Sequence, residues 1–393
     1  MRAGARTQTL AVLAAVFVAL ALCVAEPRQR LDLKAPKQIA PGVLLYHVDS
    51  PTLVDPEGPL SIWLLRLDPT RADLRATLAN DEVMGTETVA GIAERHRALA
   101  GINAGFFAAN GDPAGVLTLA GRLVSDTRRP RGAVGIRKDG GTLKLTFARL
   151  RATARLVVQN GRATTSVPVD GVDTTRLLGK LMLFTPAYHP DTDTAAGGLE
   201  WVVNGQPPRI VRGPLKTGKT AIPPQGFVLS FGGPKLPGAL TSIRRGARVT
   251  LEVSYDPMEG EPESWSAAQD VIGGAGLLMR DGRDVEDWTV EAFAQGFAET
   301  RHPRTMIGTA SDGTIWLVTV DGRQPQLSVG MTLVELRNLA RRLDLVNALN
   351  LDGGGSTTMW VQGAILNSPS DAAGPRKVSD ALLVYAAQGA RVP

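Results

Sequence analysis

Seven residues in a row carry the clearest chemical potential of this chain: Asp352, Gly353, Gly354, Gly355, Ser356, Thr357 and Thr358, set between the apolar Leu351 and Met359. A carboxylate can serve as base, nucleophile or metal ligand, and glycines let backbone N–H groups come close to an oxyanion. A phosphate-binding P-loop would need Gly-Lys-Ser/Thr leading into a helix, and there is no lysine here. A nucleophile elbow needs G-x-S-x-G, whereas Ser356 lacks the second glycine and leads into the strand-like TMWV. The residues alone leave two readings: a glycine-rich hairpin, or a place where a ligand meets backbone. A two-residue turn needs one or two glycines, not three beside an acid.

Other polar groups punctuate apolar runs in the same way. Asp321 closes TIWLVTV, Asn103 stands beside Gly105 in GINAGFF, and Arg304 opens a strand in RHPRTMIG. A guanidinium there can hold two oxygens of a phosphate, although solvated arginines are commoner. Asn367 and Arg376 lie in the loop LNSPSDAAGPRKVSD. The four histidines, His47, His96, His189 and His302, show no metal-ligand spacing and no HExxH, so a Ser-His-Asp hydrolase is a poor fit. DTDTAAGG (191–198) lacks the closing glutamate of a calcium loop and reads as a loop.

These groups need elements to aim them. TIWLVTV (314–320) reads as a strand, Thr332 and Glu335 as a capping box, and Leu336, Leu339, Ala340 and Leu343 as one helical face. LVNALNL (345–351) follows as a buried strand. Strand–helix–strand units are usually parallel, which would release Asp321 and Asp352 at the same sheet edge, where ligands bind in open α/β sheets. Upstream, GVLLYHV (42–48), LSIWLLRL (60–67) and ADLRATL (72–78) read as strands, TVAGIAERHRAL (88–99) as a helix, and GVLTLAGRLVS (115–125) as a hairpin about Ala120-Gly121. Arg128–Gly140 and Arg301–Gly313 share the frame R-x-P-R-x-x-x-G-x-x-x-D-G, each read as a hairpin ending in an Asp-Gly turn. The expected fold class is mixed α/β (α+β): many-stranded mixed sheets, few helices, and the C-terminal strand–helix–strand unit carrying the site.

Composition agrees with a sizeable core: 393 residues, 44% hydrophobic and 21% charged. Arginine is scattered without blocks of like charge, so the +5 balance does not suggest nucleic acid. Residues 1–25 combine Arg2 and Arg6 with an apolar run from Leu10 to Val24, the layout of a secretory signal. A lipid anchor at Cys23 fits less well, because bulky Leu22 precedes it. Cleavage would leave a chain without cysteine or membrane span, secreted or periplasmic. Residues 26–41 read as a linker and 42–390 as one domain, with 42–85 as an N-terminal strand layer.

In order, INAGFF (102–107), LFTPAYHPDT (183–192), GFVLSFGG (226–233), VIGGAGLLMRDG (271–282), HPRTMIG (302–308), VDGR (320–323) and LNLDGGGSTTMW (349–360) resemble the phosphodiester glycosidase family. The resemblance implies hydrolysis between a sugar's anomeric carbon and a phosphodiester oxygen. It implies a pocket of Asn103, Arg304, Asp321, Asp352, Ser356 and Arg376. In that pocket Arg304 and Arg376 would neutralise phosphate, and the Gly353–Gly355 amides, with Ser356, Thr357 and Asn367, would bind phosphate or sugar. Asp321 or Asp352 would stabilise, attack or activate water at the oxocarbenium-like centre. The substrate expected is a sugar phosphodiester or polysaccharide. No cofactor is required, and a divalent cation held by the two acids is an alternative.

Overall fold

A computed structural model describes residues 30–387. The leader reading and Cys23 lie outside the described residues. In chain order, the strands that build the site are β1 (Lys37–Ala40), β2 (Val43–Asp49), β3 (Ser61–Leu67), β4 (Ala72–Leu78), β5 (Ala100–Asn103), β6 (Leu277–Arg280), β7 (Arg283–Asp284), β8 (Arg304–Ala310), β9 (Ile315–Val320), β10 (Leu345–Asn350), β11 (Met359–Val361), β12 (Ala364–Ile365) and β13 (Asp380–Ala386). Two helices matter here, α1 (Val89–Arg95) and α2 (Leu333–Arg342).

One sheet has the order β1-β2-β3-β9-β8-β10-β6-β7, and a second has β12-β11-β5-β13-β4. A third sheet of twelve strands is built around the long hairpin Thr127–Asp139 and Thr142–Asn160. The mixed α/β class expected from sequence is what the chain adopts, and nearly all strand pairs are antiparallel.

β3, β8 and β9 are buried along almost their whole length because both faces are covered. With the period of two of a pleated strand, Leu65, Ile307, Leu317 and Leu349 enter the core shared with the second sheet. Ile62, Leu64, Met306, Val318 and Ala348 turn the other way, onto α2. That helix begins at the capping box: Thr332 accepts from the Glu335 N–H and Glu335 accepts from the Thr332 N–H. Leu336, Leu339 and Ala340 are buried on its inner face, with Leu343 at its C-cap.

Two sequence readings are corrected. β9 and β10 do run parallel, but they are not neighbours, since β8 lies between them and is antiparallel to both. β8 and β9 form a hairpin and β3 takes the other edge of β9, so only the far edge of β8 is open to β10. The linker also ends earlier than expected. Lys37–Ala40 form β1 against β2, and Leu31 and Leu33 pack on the α2 side of the core, because this stretch has apolar residues to bury. The Ala120-Gly121 hairpin forms as read, with both residues at positive φ.

Candidate active site

The insertion of β8 brings three chemical groups to one end of the sheet. Arg304 begins β8, opposite Val320, the last residue of β9, so Asp321 leaves beside it. On the other side Leu351 donates to the Thr305 carbonyl (2.8 Å), and Asp352 emerges next. Asp321 and Asp352 are thus separated by two strand spacings, roughly 10 Å.

The loop after Asp352 is braced from the second sheet. Asp352 N–H donates to the Ala104 carbonyl at 2.9 Å. Asn103 is fully buried; its Nδ2 donates to the Asp352 carbonyl at 2.6 Å, and its Oδ1 accepts from Thr305 Oγ1 (2.8 Å) and Thr358 N–H (3.1 Å). Asn367 performs the same task on the far side. Its Oδ1 accepts from Met359 N–H (2.7 Å), and its Nδ2 is shared between the Thr357 carbonyl and Asp321 Oδ1, both at 3.0 Å. Both amides, expected at the substrate, make these bonds to the protein and position the loop.

Each glycine answers a close approach. A Cβ on Gly353 would stand 2.6 Å from the Pro303 carbonyl. Gly354 has a φ of 61° and lies under the Arg323 guanidinium; a Cβ on Gly355 would collide with the Arg376–Asp371 pair. The amides are less available than the sequence suggested. Gly353 N–H donates to Asp352 Oδ1 (2.8 Å) and Gly354 N–H to the Pro303 carbonyl (2.9 Å), in the segment that leads into β8. Ser356, Thr357 and Thr358 are buried; the Thr358 hydroxyl has no hydrogen-bond partner among the described residues, and the Ser356 hydroxyl faces the Asp352 carboxylate.

Asp352 has its pKa raised to about 6. Burial is the main cause and the Asp380 charge adds to it, while the Ser356 hydroxyl, the Gly353 N–H and Arg376 pull the other way. Asp321 is also raised by burial, but Asn367, Ser368 N–H (2.8 Å) and Ser61 hold its carboxylate. It anchors the Asn367 loop.

Arg304 is 2% exposed. Its Nε donates to the Met331 carbonyl (2.8 Å), its Nη2 to the carbonyls of Phe297 (2.8 Å) and Thr300 (3.0 Å), and it stands over the Phe297 ring. Burial lowers its pKa to about 10, so it stays charged at neutral pH. No carboxylate lies within ion-pair distance of it among the described residues, nor of Arg323, which contacts His302 Nδ1 at 3.2 Å. Arg376 is exposed and paired with Asp371 (2.8 Å). Burial and the two arginines push the His302 pKa down, keeping it neutral.

Sequence reasoning missed Arg323, His302 and Asp380. Arg323 was visible inside VDGR, yet only the fold lays it over Gly354. Asp380 opens β13, 1% exposed, with Oδ1 accepting from Gly105 N–H at 2.6 Å. No three of His, Cys, Asp and Glu come together as a metal-holding group among the described residues.

Residues 197–385 match the family model of phosphodiester glycosidases. That span holds the Asp352 loop and all three arginines; Asn103 lies outside it. The chain is 31% identical over 173 residues to the mouse (Mus musculus) N-acetylglucosamine-1-phosphodiester alpha-N-acetylglucosaminidase, covering 40% of this chain and 32% of that enzyme. The chain therefore spans about a third of that relative's length; for other curated relatives the aligned share runs from 16% to 86%. Among solved structures, a hypothetical protein from Synechocystis shares the fold at TM-score 0.74 and 24% identity, covering 91% of this chain and 64% of that one. A protein from Burkholderia pseudomallei K96243, named as a candidate exported protein, matches at TM-score 0.70 and 27% identity, covering 84% and 74%.

Proposed function

We propose that this chain, whose residues 197–385 match the phosphodiester glycosidase family model, hydrolyses the bond between a sugar's anomeric carbon and the oxygen of a phosphodiester. The observation that carries the reading is two arginines, Arg304 and Arg323, without a carboxylate partner among the described residues: the Arg304 backbone adjoins Gly353 and the Arg323 guanidinium covers Gly354, in a turn led by a largely buried carboxylate. Arg304 is a buried charge whose partners are backbone carbonyls, and Arg323 is an exposed one; an anionic ligand supplies the counter-charge that the carbonyls do not.

In this reaction the C1–O bond breaks and its electron pair stays on the phosphate oxygen, giving a phosphomonoester. Arg304 and Arg323, with Arg376, stabilise the charge that gathers there. A phosphate leaving group is a weak base, so electrostatic clamping does much of the work that proton donation does for ordinary glycosides. Asp352, ionised above its pKa of about 6, takes a proton from the water whose oxygen bonds to C1. The sugar leaves with that hydroxyl.

Hydrolysis in oxygen-labelled water tests this. Label in the sugar supports C–O cleavage; label in the phosphate supports a phosphodiesterase cutting P–O; tight binding without turnover supports a carbohydrate-binding module. A parallel arm with chelator reads whether a divalent cation joins the carboxylates at the phosphate.

Secretion, with envelope or exopolysaccharide material as the substrate's setting, is part of the same proposal. It rests on the leader-like first 25 residues and on the designation of the Burkholderia neighbour. Among the described residues no helix is long and apolar enough to cross a membrane.

A further inference from the structure

The same end of the molecule carries aromatic rings that the chemistry above does not use. Phe106 stands two residues beyond Ala104, whose carbonyl takes the Asp352 N–H. Phe297 comes from the opposite side, in the segment before β8, and its ring supports the Arg304 guanidinium 5.0 Å from the centroid. The two rings meet edge to face at 6.0 Å and 62°, and Phe293 leans on Phe297 at 4.8 Å. All three residues are partly exposed.

The segment that carries Phe293 and Phe297 is pinned at both ends. Glu291, fully buried, accepts from the N–H groups of Gly132 (2.8 Å), Gly276 (3.0 Å) and Leu277 (3.1 Å). At the other end Arg304 holds the Phe297 and Thr300 carbonyls, and His302 and Met331 exchange backbone hydrogen bonds. A surface fixed this way is pre-organised and loses little freedom when a ligand arrives.

We infer that Phe106, braced edge to face by Phe297, forms the platform for the sugar of the substrate, which is a pyranose set with its C–H face on the Phe106 ring and its anomeric phosphate toward Arg304. This rests on the reading of the site given above. A pyranose has an apolar face of axial C–H groups and a rim of hydroxyls. Against aromatic rings the face leaves water while the rim keeps its hydrogen bonds, as in other pockets where apolar walls surround a few placed polar groups. An apolar wall beside an unpaired cation matches a sugar 1-phosphate better than a phosphate without a sugar.

Titration calorimetry of the whole protein with three probes tests this: inorganic phosphate, α-D-glucose 1-phosphate and methyl α-D-glucopyranoside. The sugar phosphate should bind at least about fivefold more tightly than phosphate. Phe106→Ala and Phe106→Leu should erase that ratio while phosphate affinity holds, which also shows that the variants fold; Phe106→Trp should restore it. A ratio unchanged in both variants, or no ratio in the wild type, overturns the platform. If neither phosphate compound binds, the anion reading of the site falls. The platform is then judged on the glucoside alone: binding lost in Phe106→Leu supports it, and no binding or unchanged binding overturns it.

Discussion

The side-chain amide of Asn103 reaches across 249 positions of sequence to the backbone carbonyl of Asp352, at 2.6 Å. One buried residue on the second sheet thereby sets where the carboxylate of the first sheet stands. Asn103→Ala removes a donor to Asp352 and an acceptor for Thr305 and Thr358, leaving buried groups unpaired. The expected cost is about 2–4 kcal/mol of stability, with kcat falling more than KM rises. Denaturant unfolding beside steady-state kinetics checks it; a variant with normal stability and normal kcat removes Asn103 from the positioning role.

The pH dependence follows from Asp352. An acid whose pKa is raised to about 6 is protonated below that pH and cannot accept a proton, so kcat/KM should fall about tenfold per unit as pH drops below 6 and level off above it. Asp352→Asn should abolish activity while the protein stays folded. Asp380→Asn removes the like charge that raises Asp352, so the ascending limb should move to lower pH. A limb that stays in place separates Asp380 from the titration.

Arg323 and Arg304 should separate binding from architecture. Arg323 is exposed and Arg323→Ala should raise KM for a phosphodiester, more so at low salt, with stability changed by less than about 0.5 kcal/mol. Arg304→Ala strips donors from the Met331, Phe297 and Thr300 carbonyls, so it should lower the unfolding midpoint as well as kcat/KM. Arg304→Lys should not restore both, because one ammonium cannot reach three carbonyls from that geometry. Equal behaviour of the Arg323 and Arg304 variants would contradict these roles.

Gly355→Ala places a methyl where the Arg376–Asp371 pair stands. The pair can move because it is partly exposed, so the fold should survive with a small Tm shift. The expected loss is about ten- to a hundredfold in kcat/KM from displaced charge. Thermal unfolding and kinetics on the one variant decide it: full activity would mean that Arg376 does not need its place.

Much of this was readable before folding. The apolar runs of β3 and β9, the Thr332–Glu335 box, the Ala120-Gly121 hairpin and the acid-glycine run are local patterns, and local backbone chemistry produces them. Asp321 and Asp352 were expected at one sheet edge, and they are there, although the strand between them was not foreseen. Periodicity says that a strand is buried, not which edge it pairs with.

The residue types at 352–358, by themselves, determined that a carboxylate would meet a bare backbone turn. What the glycines are for was decided only by tertiary structure. They make room for Pro303, Arg323 and the Arg376–Asp371 pair, more than they offer N–H groups to a ligand. Likewise the amides of Asn103 and Asn367, which the family resemblance assigned to the substrate, brace the loop through bonds to distant segments, while packing lays Arg323 over Gly354 and Phe297 under Arg304. The physical reason is that a side chain's hydrogen-bond capacity is written in its type, but its partners are whatever packing places within 3 Å, and that placement belongs to the whole chain.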